Sequence, residues 1–152
     1  MSRAERAKEY FIQGYACSQA VALAFADVIG VDEVMIKKLA LPFGGGLGRL
    51  RLTCGAVSGM AIVIGGVFTE ENQTPENKKA VYAIVQELCA KFKAENGSLI
   101  CGDLLTGANL FVETGGVAEA RTQEYYKKRP CAELVYVAAE ILERYLQEQG
   151  VL

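Results

Sequence analysis

The sequence predicts an all-α protein, a single-domain helical bundle of about six to seven helices around a central glycine-rich helix, covering residues 1–152. Apolar residues recur at spacings of three and four along several segments, which is typical of a buried helix face. Residue types that begin and end helices flank these segments. No segment shows the sustained alternation and turn residues of a hairpin, so no sheet is expected. A chain of this length forms one domain and folds without needing a disulfide or a metal.

The first half of the chain is predicted to contain four helices. Ser2 and Glu5 match a capping box at the start of the first. Asp32 caps the third, because its carboxylate can accept from free backbone N–H groups. Thr53 is placed to cap the fourth, the glycine-rich helix. The predicted helices run from Ser2 to about Gly14, from Cys17 to Gly30, from Asp32 to Pro42 and over residues 53–68, with a glycine loop at 43–48.

The second half is predicted to hold two long helices with shorter elements between them. Pro75 suits the first position of a helix, and Gly97 is a residue type that ends one. Between these two residues the apolar positions keep the i, i+3, i+4, i+7 spacing of an amphipathic helix. Ser98 is placed to cap a short turn that contains Cys101. We further expect a loop at residues 106–116, a short polar helix at 117–127 and a final helix at 130–148.

Composition and charge exclude several functions. The net charge is −2, so nothing favours nucleic acid or an anionic membrane as a partner. The chain has no histidine, which excludes Cys–His dyads and imidazole metal ligands. The apolar run 52–68 is at the lower limit for a membrane span and contains four glycines, which favours a buried helix. The charged N-terminus lacks a signal-peptide pattern, so we expect a cytoplasmic protein with reduced thiols.

Five cysteines are many for such a chain, and three of them stand where helices are predicted to begin. These three are Cys17, Cys54 and Cys131. The partial positive charge of a helix N-terminus favours a thiolate over a thiol. Arg49 and Arg51 precede Cys54 and act in the same direction, so we expect Cys54 to be the low-pKa thiolate.

The other two cysteines differ from these three. Cys101 lies near a short turn, and the pattern does not fix its position relative to a helix start. Cys89 lies in the middle of a predicted helix, within its apolar stripe, and is expected to be a buried, inert thiol. There is no CxxC motif, and the wide gaps between cysteines exclude a zinc knuckle or a ferredoxin-type run. Any shared site must therefore be assembled by the fold from separate helices.

The glycine-rich segments are candidate binding elements. Residues 44–48 lack the Lys-Ser/Thr of a phosphate-binding P-loop, which argues against a nucleotide. Their consecutive N–H groups could form an anion-binding nest, or the segment could be a plain tight connection that lets the next helix pack. Gly55 and Gly59, one helical turn apart, leave room for another backbone or a flat ligand. The candidate cofactor-binding residues are Gly44, Gly45, Gly46, Gly48, Gly55 and Gly59.

The order of these motifs resembles a known family, the redox-active proteins named for the pattern C_GCAxxG_C_C. The resemblance extends from about residue 10 to residue 145. Many relatives carry Gly-Glu before the Thr-Cys, whereas this chain has Arg51-Leu52, which puts a cation where those relatives have an acid. The matching segments are Gly14-Tyr-Ala-Cys17-Ser-Gln-Ala-Val, Phe43-Gly-Gly-Gly-Leu-Gly, Thr53-Cys54-Gly-Ala-Val-Ser-Gly59, Cys101 followed by Leu104, and Pro130-Cys131-Ala-Glu-Leu-Val.

The resemblance implies a functional role for four cysteines and leaves Cys89 outside the pattern. It also implies a small cytoplasmic prokaryotic protein with redox activity. A similar cysteine arrangement occurs in domains attached to split-Soret multihaem cytochromes, for which an iron–sulfur cluster has been considered. The implied functional cysteines are Cys17, Cys54, Cys101 and Cys131.

Three functions remain open. In thiol–disulfide exchange or electron transfer, Cys54 would be the attacking thiolate and one of the other three cysteines its partner. In a metal-binding protein, Cys17, Cys54, Cys101 and Cys131 would together hold an iron–sulfur cluster or zinc. In a non-catalytic helical binding module, the cysteines would merely be buried. The redox partner is unknown, and a homodimer is one further expectation.

Overall fold

A computed structural model describes residues 1–152 and shows an all-helical chain. It has nine α-helices, one short 3-10 helix at Leu41–Phe43, and no strand beyond a single isolated β-bridge. The α-helices are α1 (Arg3–Ile12), α2 (Cys17–Leu23), α3 (Ala26–Ile29), α4 (Glu33–Ala40), α5 (Gly55–Phe68), α6 (Pro75–Asn96), α7 (Cys101–Gly107), α8 (Gln123–Lys128) and α9 (Cys131–Glu148).

The predicted caps Ser2 and Asp32 are confirmed, whereas the N-cap of α5 is Cys54 rather than Thr53 and that of α7 is Ile100 rather than Ser98. The Ser2 hydroxyl accepts from the Glu5 N–H at 3.1 Å, and the Ser2 N–H donates to the Glu5 carboxylate at 2.7 Å. Asp32 caps α4, and Gly30 and Gly97 end α3 and α6 in the left-handed conformation. These caps give hydrogen-bond partners to backbone groups that would otherwise lack them at the helix ends.

The predicted second helix, residues 17–30, is divided into α2 and α3. Phe25 leaves the helical conformation (φ −122°, ψ 18°), and its side chain is fully buried. The guanidinium of Arg3, on α1, donates to the free carbonyl of Ala24 at 2.8 Å. The break therefore depends on a contact from another helix, which the local sequence does not reveal.

The division into α2 and α3 and one further helix, α7, raise the helix number from the predicted six or seven to nine. Cys101 begins a helix, α7, rather than lying in a turn. The polar helix expected at 117–127 is instead α8, which starts at Gln123. Thr122, rather than a residue near 117, caps this helix by accepting from the Tyr125 N–H.

The core is one cluster of 28 buried hydrophobic residues, to which α1, α2, α5 and α9 contribute most. Helix α5 packs against α2, α3, α6 and α9. The most completely buried helix is α2, in which every residue after Cys17 is buried. No helix is both long enough and apolar enough to cross a membrane.

The glycines of α5 allow its close contact with α2. A Cβ at Gly59 would lie 2.7 Å from the Cβ of Val21, and a Cβ at Gly55 would lie 3.1 Å from that of Cys17. Because α2 covers this glycine face within the chain, a homodimer would have to use another surface.

Candidate functional site

A cavity of about 330 Å³ lies at the end of the bundle where α2, α5, α7 and α9 begin. Its wall contains four of the five cysteines. Cys89 is not among them. It lies on α6 beside Val57 and Leu88 and is half-buried, not fully buried as the sequence predicted. The four that line the cavity are Cys17, Cys54, Cys101 and Cys131.

All four of these cysteines stand at a helix start. Cys17, Cys101 and Cys131 are the first residues of α2, α7 and α9. Cys54 immediately precedes α5 and occupies the cap position that the sequence assigned to Thr53. The helix-start pattern seen for three cysteines therefore extends to Cys101, whose helix was not predicted.

The single β-bridge joins the segments that precede α5 and α7. It pairs Thr53 with Ile100 in antiparallel fashion. The Cys54 N–H donates to the carbonyl of Leu99 at 2.7 Å, and the Cys101 N–H donates to that of Leu52 at 2.6 Å. These backbone bonds fix where two of the four cysteines enter the cavity.

The glycine loop forms another part of the wall. A Cβ at Gly46 would lie 2.6 Å from the Leu52 nitrogen and 2.7 Å from the Cβ of Cys101, so only glycine fits there. The Leu52 N–H in turn donates to the Gly46 carbonyl at 2.9 Å, which folds the loop back on itself. Of the candidate binding glycines, Gly59 lies outside the cavity, and those that line it are Gly44, Gly45, Gly46, Gly48 and Gly55.

Four arginines and one carboxylate also line the cavity. Arg51 donates from Nε to the Glu113 carbonyl at 2.8 Å, and its Nη1 lies 3.8 Å from the Cys101 sulfur. Arg49 donates to the Gly115 carbonyl. The loop after α7 is thus held to the glycine loop by arginine side chains that bind its backbone. The other charged residues of the wall are Arg121, Arg129 and Glu119.

Arg121 and Tyr125 are the site residues that the sequence did not suggest. The Arg121 guanidinium donates to the carbonyls of Phe11 and Tyr15, both at 3.1 Å, and so satisfies groups near the end of α1. The guanidinium carbon also lies over two aromatic rings, 4.3 Å from the ring centre of Phe11 and 4.8 Å from that of Tyr125. Burial raises the pKa of Tyr125 to about 12. The sequence placed both residues on a polar helix, and no local signal marks them.

Cys17 and Cys131 lie on the same cavity wall, and each thiol shifts the pKa of the other. Donation from the Cys17 thiol lowers the pKa of Cys131 to about 7, against the opposing effect of burial. Arg129, Arg121 and then Arg51 lower it further. The same interaction raises the pKa of Cys17 well above its ordinary value. The two thiols titrate as a pair, with the pKa of Cys131 lowered and that of Cys17 raised.

Cys54 is not the low-pKa thiolate that the sequence suggested. Burial raises the pKa of Cys54 to about 12, although the N–H groups of Ala56 and Val57 at the start of α5 act against this rise. Burial also raises the pKa of Cys101, in spite of its contact with Arg51. For Cys54 the loss of water outweighs the favourable position at a helix N-terminus.

The four cysteines share a cavity without converging on one point. No three of the cysteine, aspartate and glutamate side chains lie close enough together to hold a metal ion. The assignment of Cys17, Cys54, Cys101 and Cys131 as ligands of one metal site stays a prediction.

The fold and this site define a class, that of helical proteins with a cluster of thiols in one cavity. Residues 15–145 match a family described as "Putative redox-active protein (C_GCAxxG_C_C)", and the chain belongs to that family. The central motif of that name reads Gly-Cys-Ala-x-x-Gly, whereas this chain has Cys54-Gly55-Ala56-x-x-Gly59. No curated protein and no solved structure is significantly similar to the chain.

Proposed function

We propose that Cys17 and Cys131 form a dithiol/disulfide centre, in which Cys131 is the attacking thiolate and Cys17 the resolving thiol. The observation that carries this proposal is that both thiols stand at helix starts on one cavity wall, beside Arg121 and Arg129. The lowered pKa of Cys131 supports it. A thiol with a pKa near ambient pH combines a large thiolate fraction with good nucleophilicity. Oxidation removes two electrons and two protons from the pair and forms one S–S bond.

Cys54 and Cys101 are less suited to pair directly with each other. Each follows one partner of the Thr53–Ile100 bridge, so the two cysteines occupy diagonal positions across an antiparallel pair. Such positions are typically about 7–8 Å apart, at the upper limit for the Cα atoms of a disulfide. With their raised pKa values, both remain thiols at neutral pH and would react later than Cys131.

The proposal is tested by equilibrating the protein with glutathione buffers of graded potential and mapping disulfides by mass spectrometry. We expect a reversible two-electron couple in the cytosolic range, with Cys17 and Cys131 joined in the oxidised form. Cys131→Ser should abolish the couple. Cys89→Ser is the matched control, because this thiol lies outside the cavity, and it should leave the couple unchanged. A protein with no reversible couple would contradict the proposal.

A four-thiolate metal site is the second candidate function. It is favoured by the presence of all four cysteines on one wall, beside arginines that would balance the charge of thiolate ligands. We propose an iron–sulfur cluster, because a cluster spreads its thiolate ligands over several irons and so suits sulfurs that do not converge on one point. Anaerobically purified, reconstituted protein should then be coloured and contain stoichiometric iron. Colourless protein without bound metal after this treatment would exclude the candidate.

We further propose that the protein works in a reducing, cytoplasmic environment with a redox partner that is not yet identified. A row of exposed apolar side chains supports such a contact, or self-association into a homodimer. Sedimentation of the reduced protein across a concentration range measures self-association directly. These side chains, on α4 and the segment after it, are Leu39, Leu41, Leu47, Leu50 and Leu52.

A further inference from the structure

The cavity is electropositive although the chain as a whole has a net charge of −2. Its wall carries four arginines and a single carboxylate, Glu119. Glu119 is already paired with Arg129 at 2.7 Å. Arg49, Arg51 and Arg121 form no salt bridge within the chain, so their charges are not neutralised by a protein carboxylate.

Arg51 shows most clearly that this charge is directed to the cavity. It is only 9% exposed, and its hydrogen-bonding partners are the Glu113 carbonyl and the Cys101 sulfur, neither of which is an anion at neutral pH. No fully buried side-chain nitrogen or oxygen lacks a partner, so the remaining guanidinium N–H groups open to the cavity or to solvent. A cation held with so little exposure is costly unless an anion accompanies it.

The rest of the wall is apolar, and the space is limited. Leu104, Leu105 and Leu134 line the cavity beside the four sulfurs. Its volume of about 330 Å³ is at the lower end of the range for small-molecule sites. A small ligand with a short apolar part and an anionic end matches this lining.

We propose that the cavity binds a low-molecular-weight disulfide that carries carboxylates, with a carboxylate facing Arg51 and Arg121 and the S–S bond facing Cys131. This proposal rests on the dithiol function of Cys17 and Cys131. The Cys131 thiolate attacks one sulfur of RS–SR, so that a Cys131–SR bond forms and RS⁻ leaves. Cys17 then passes its proton to the released RS⁻ and attacks the Cys131 sulfur, which expels the second RS⁻. One disulfide is reduced to two thiols, and two protein thiols are oxidised.

Three disulfides that differ mainly in charge provide the test. These are 3,3′-dithiodipropionate (a dianion), 2-hydroxyethyl disulfide (neutral) and cystamine (a dication). For each disulfide we measure the rate at which it oxidises the Cys17–Cys131 pair. Dividing this rate by the rate of the same disulfide with free 2-mercaptoethanol at the same pH corrects for differences in the intrinsic reactivity of the disulfides. At low salt we expect the normalised rate of the anionic disulfide to be roughly tenfold or more above that of the neutral one, and we call this quotient the anionic-to-neutral ratio. Cystamine should react most slowly, and added salt should reduce the differences.

The role of the arginine is tested by Arg51→Gln, which removes the charge but keeps hydrogen-bond donors. Its anionic-to-neutral ratio should fall severalfold, and Arg51→Lys should restore most of it. Because the ratio compares two substrates on one variant, a change in the Cys131 thiolate fraction cancels. Arg144→Gln is the matched control, since Arg144 is on the exposed face of α9 and its side chain is 67% exposed. Its ratio should equal that of the wild type.

The outcomes separate the two proposals. If all three disulfides oxidise the pair with a normalised ratio near one, the anionic substrate class is wrong and the dithiol function stands. If none of them oxidises Cys17 and Cys131, the dithiol function itself fails. If Arg51→Gln does not fold, the salt dependence of the wild-type ratio still decides, because a ratio unaffected by salt would overturn the electrostatic argument.

Discussion

Thr53 and Ile100 form an antiparallel bridge that joins the start of α5 to the start of α7. The two N–H groups that follow it, on Cys54 and Cys101, donate across the bridge at 2.7 and 2.6 Å. Both cysteines are thereby held at the cavity by backbone bonds, to which Cys54 adds the packing of its buried side chain. This pairing brings Cys54 and Cys101 to the cavity that Cys17 and Cys131 also line.

Alkylation should identify Cys131 as the reactive thiol. Since the thiolate is the reacting form and the pKa of Cys131 is lowered to about 7, its rate with iodoacetamide should rise with pH and reach half its maximum near pH 7. Cys54, whose pKa is raised to about 12 and which is 4% exposed, should stay almost unlabelled over the same range. Mass spectrometry of the digested protein after timed labelling gives both rates. Faster labelling of Cys54 than of Cys131 would contradict the assignment.

Donation from the Cys17 thiol should be responsible for much of the low pKa of Cys131. In Cys17→Ala this donor is lost, and the labelling midpoint of Cys131 should move up from about 7 towards the free-thiol value of about 8.5. Cys17→Ser keeps a hydroxyl donor at the same place, so its midpoint should lie between the two. Identical midpoints in both variants and the wild type would show that the arginines alone lower the pKa.

Two glycines of α5 should respond in opposite directions to the same substitution. Gly59→Ala would place a Cβ 2.7 Å from the Val21 Cβ, and overpacking of this kind costs about 1–3 kcal/mol. Gly65→Ala meets only the Thr69 hydroxyl, at 4.0 Å, so the better helix propensity of alanine should stabilise by up to about 1 kcal/mol. Urea denaturation of the reduced proteins measures both free energies of unfolding. Equal effects would mean that α5 does not pack on α2 as described.

Arg121 should support both the fold and the Cys131 thiolate. Arg121→Met removes two hydrogen bonds to carbonyls, of Phe11 and Tyr15, and should cost about 2–4 kcal/mol on the scale of charge-assisted bonds. It should also raise the Cys131 labelling midpoint, because Arg121 is one of the cations that lower this pKa. Arg121→Lys keeps the charge but not the two-carbonyl fork. It should therefore lose stability while leaving the midpoint close to that of the wild type.

Local signals in the sequence predicted much of the helix pattern. The Ser2–Glu5 capping box, the Asp32 cap and the glycines after α3 and α6 all lie where expected, because caps depend on a few adjacent residues. The positions of Cys17 and Cys131 at helix starts followed from the same kind of signal. The family pattern brought in Cys101, for which the local sequence offered only a turn.

What the sequence did not predict depends on contacts between distant residues. The division between α2 and α3 involves Arg3 from another helix, and Arg121 reaches the site only because it binds carbonyls near the end of α1. The choice of Cys54 as the thiolate failed for the same reason. Its helix-start position and neighbouring arginines are visible in the sequence, but its burial, which dominates its pKa, is a property of the folded chain.

The position of Cys17 and Cys131 on the first and last helices of the site has a thermodynamic consequence. A bond between them would close a loop of about 115 residues, and the loss of freedom in the unfolded chain stabilises the folded protein by roughly 4–5 kcal/mol in the chain-entropy view. By linkage, the folded state makes this disulfide correspondingly harder to reduce than the same pair in the unfolded chain. The melting temperature of the protein would then report the redox state of its surroundings, and a partner that reduces the disulfide would also loosen the tie between α2 and α9.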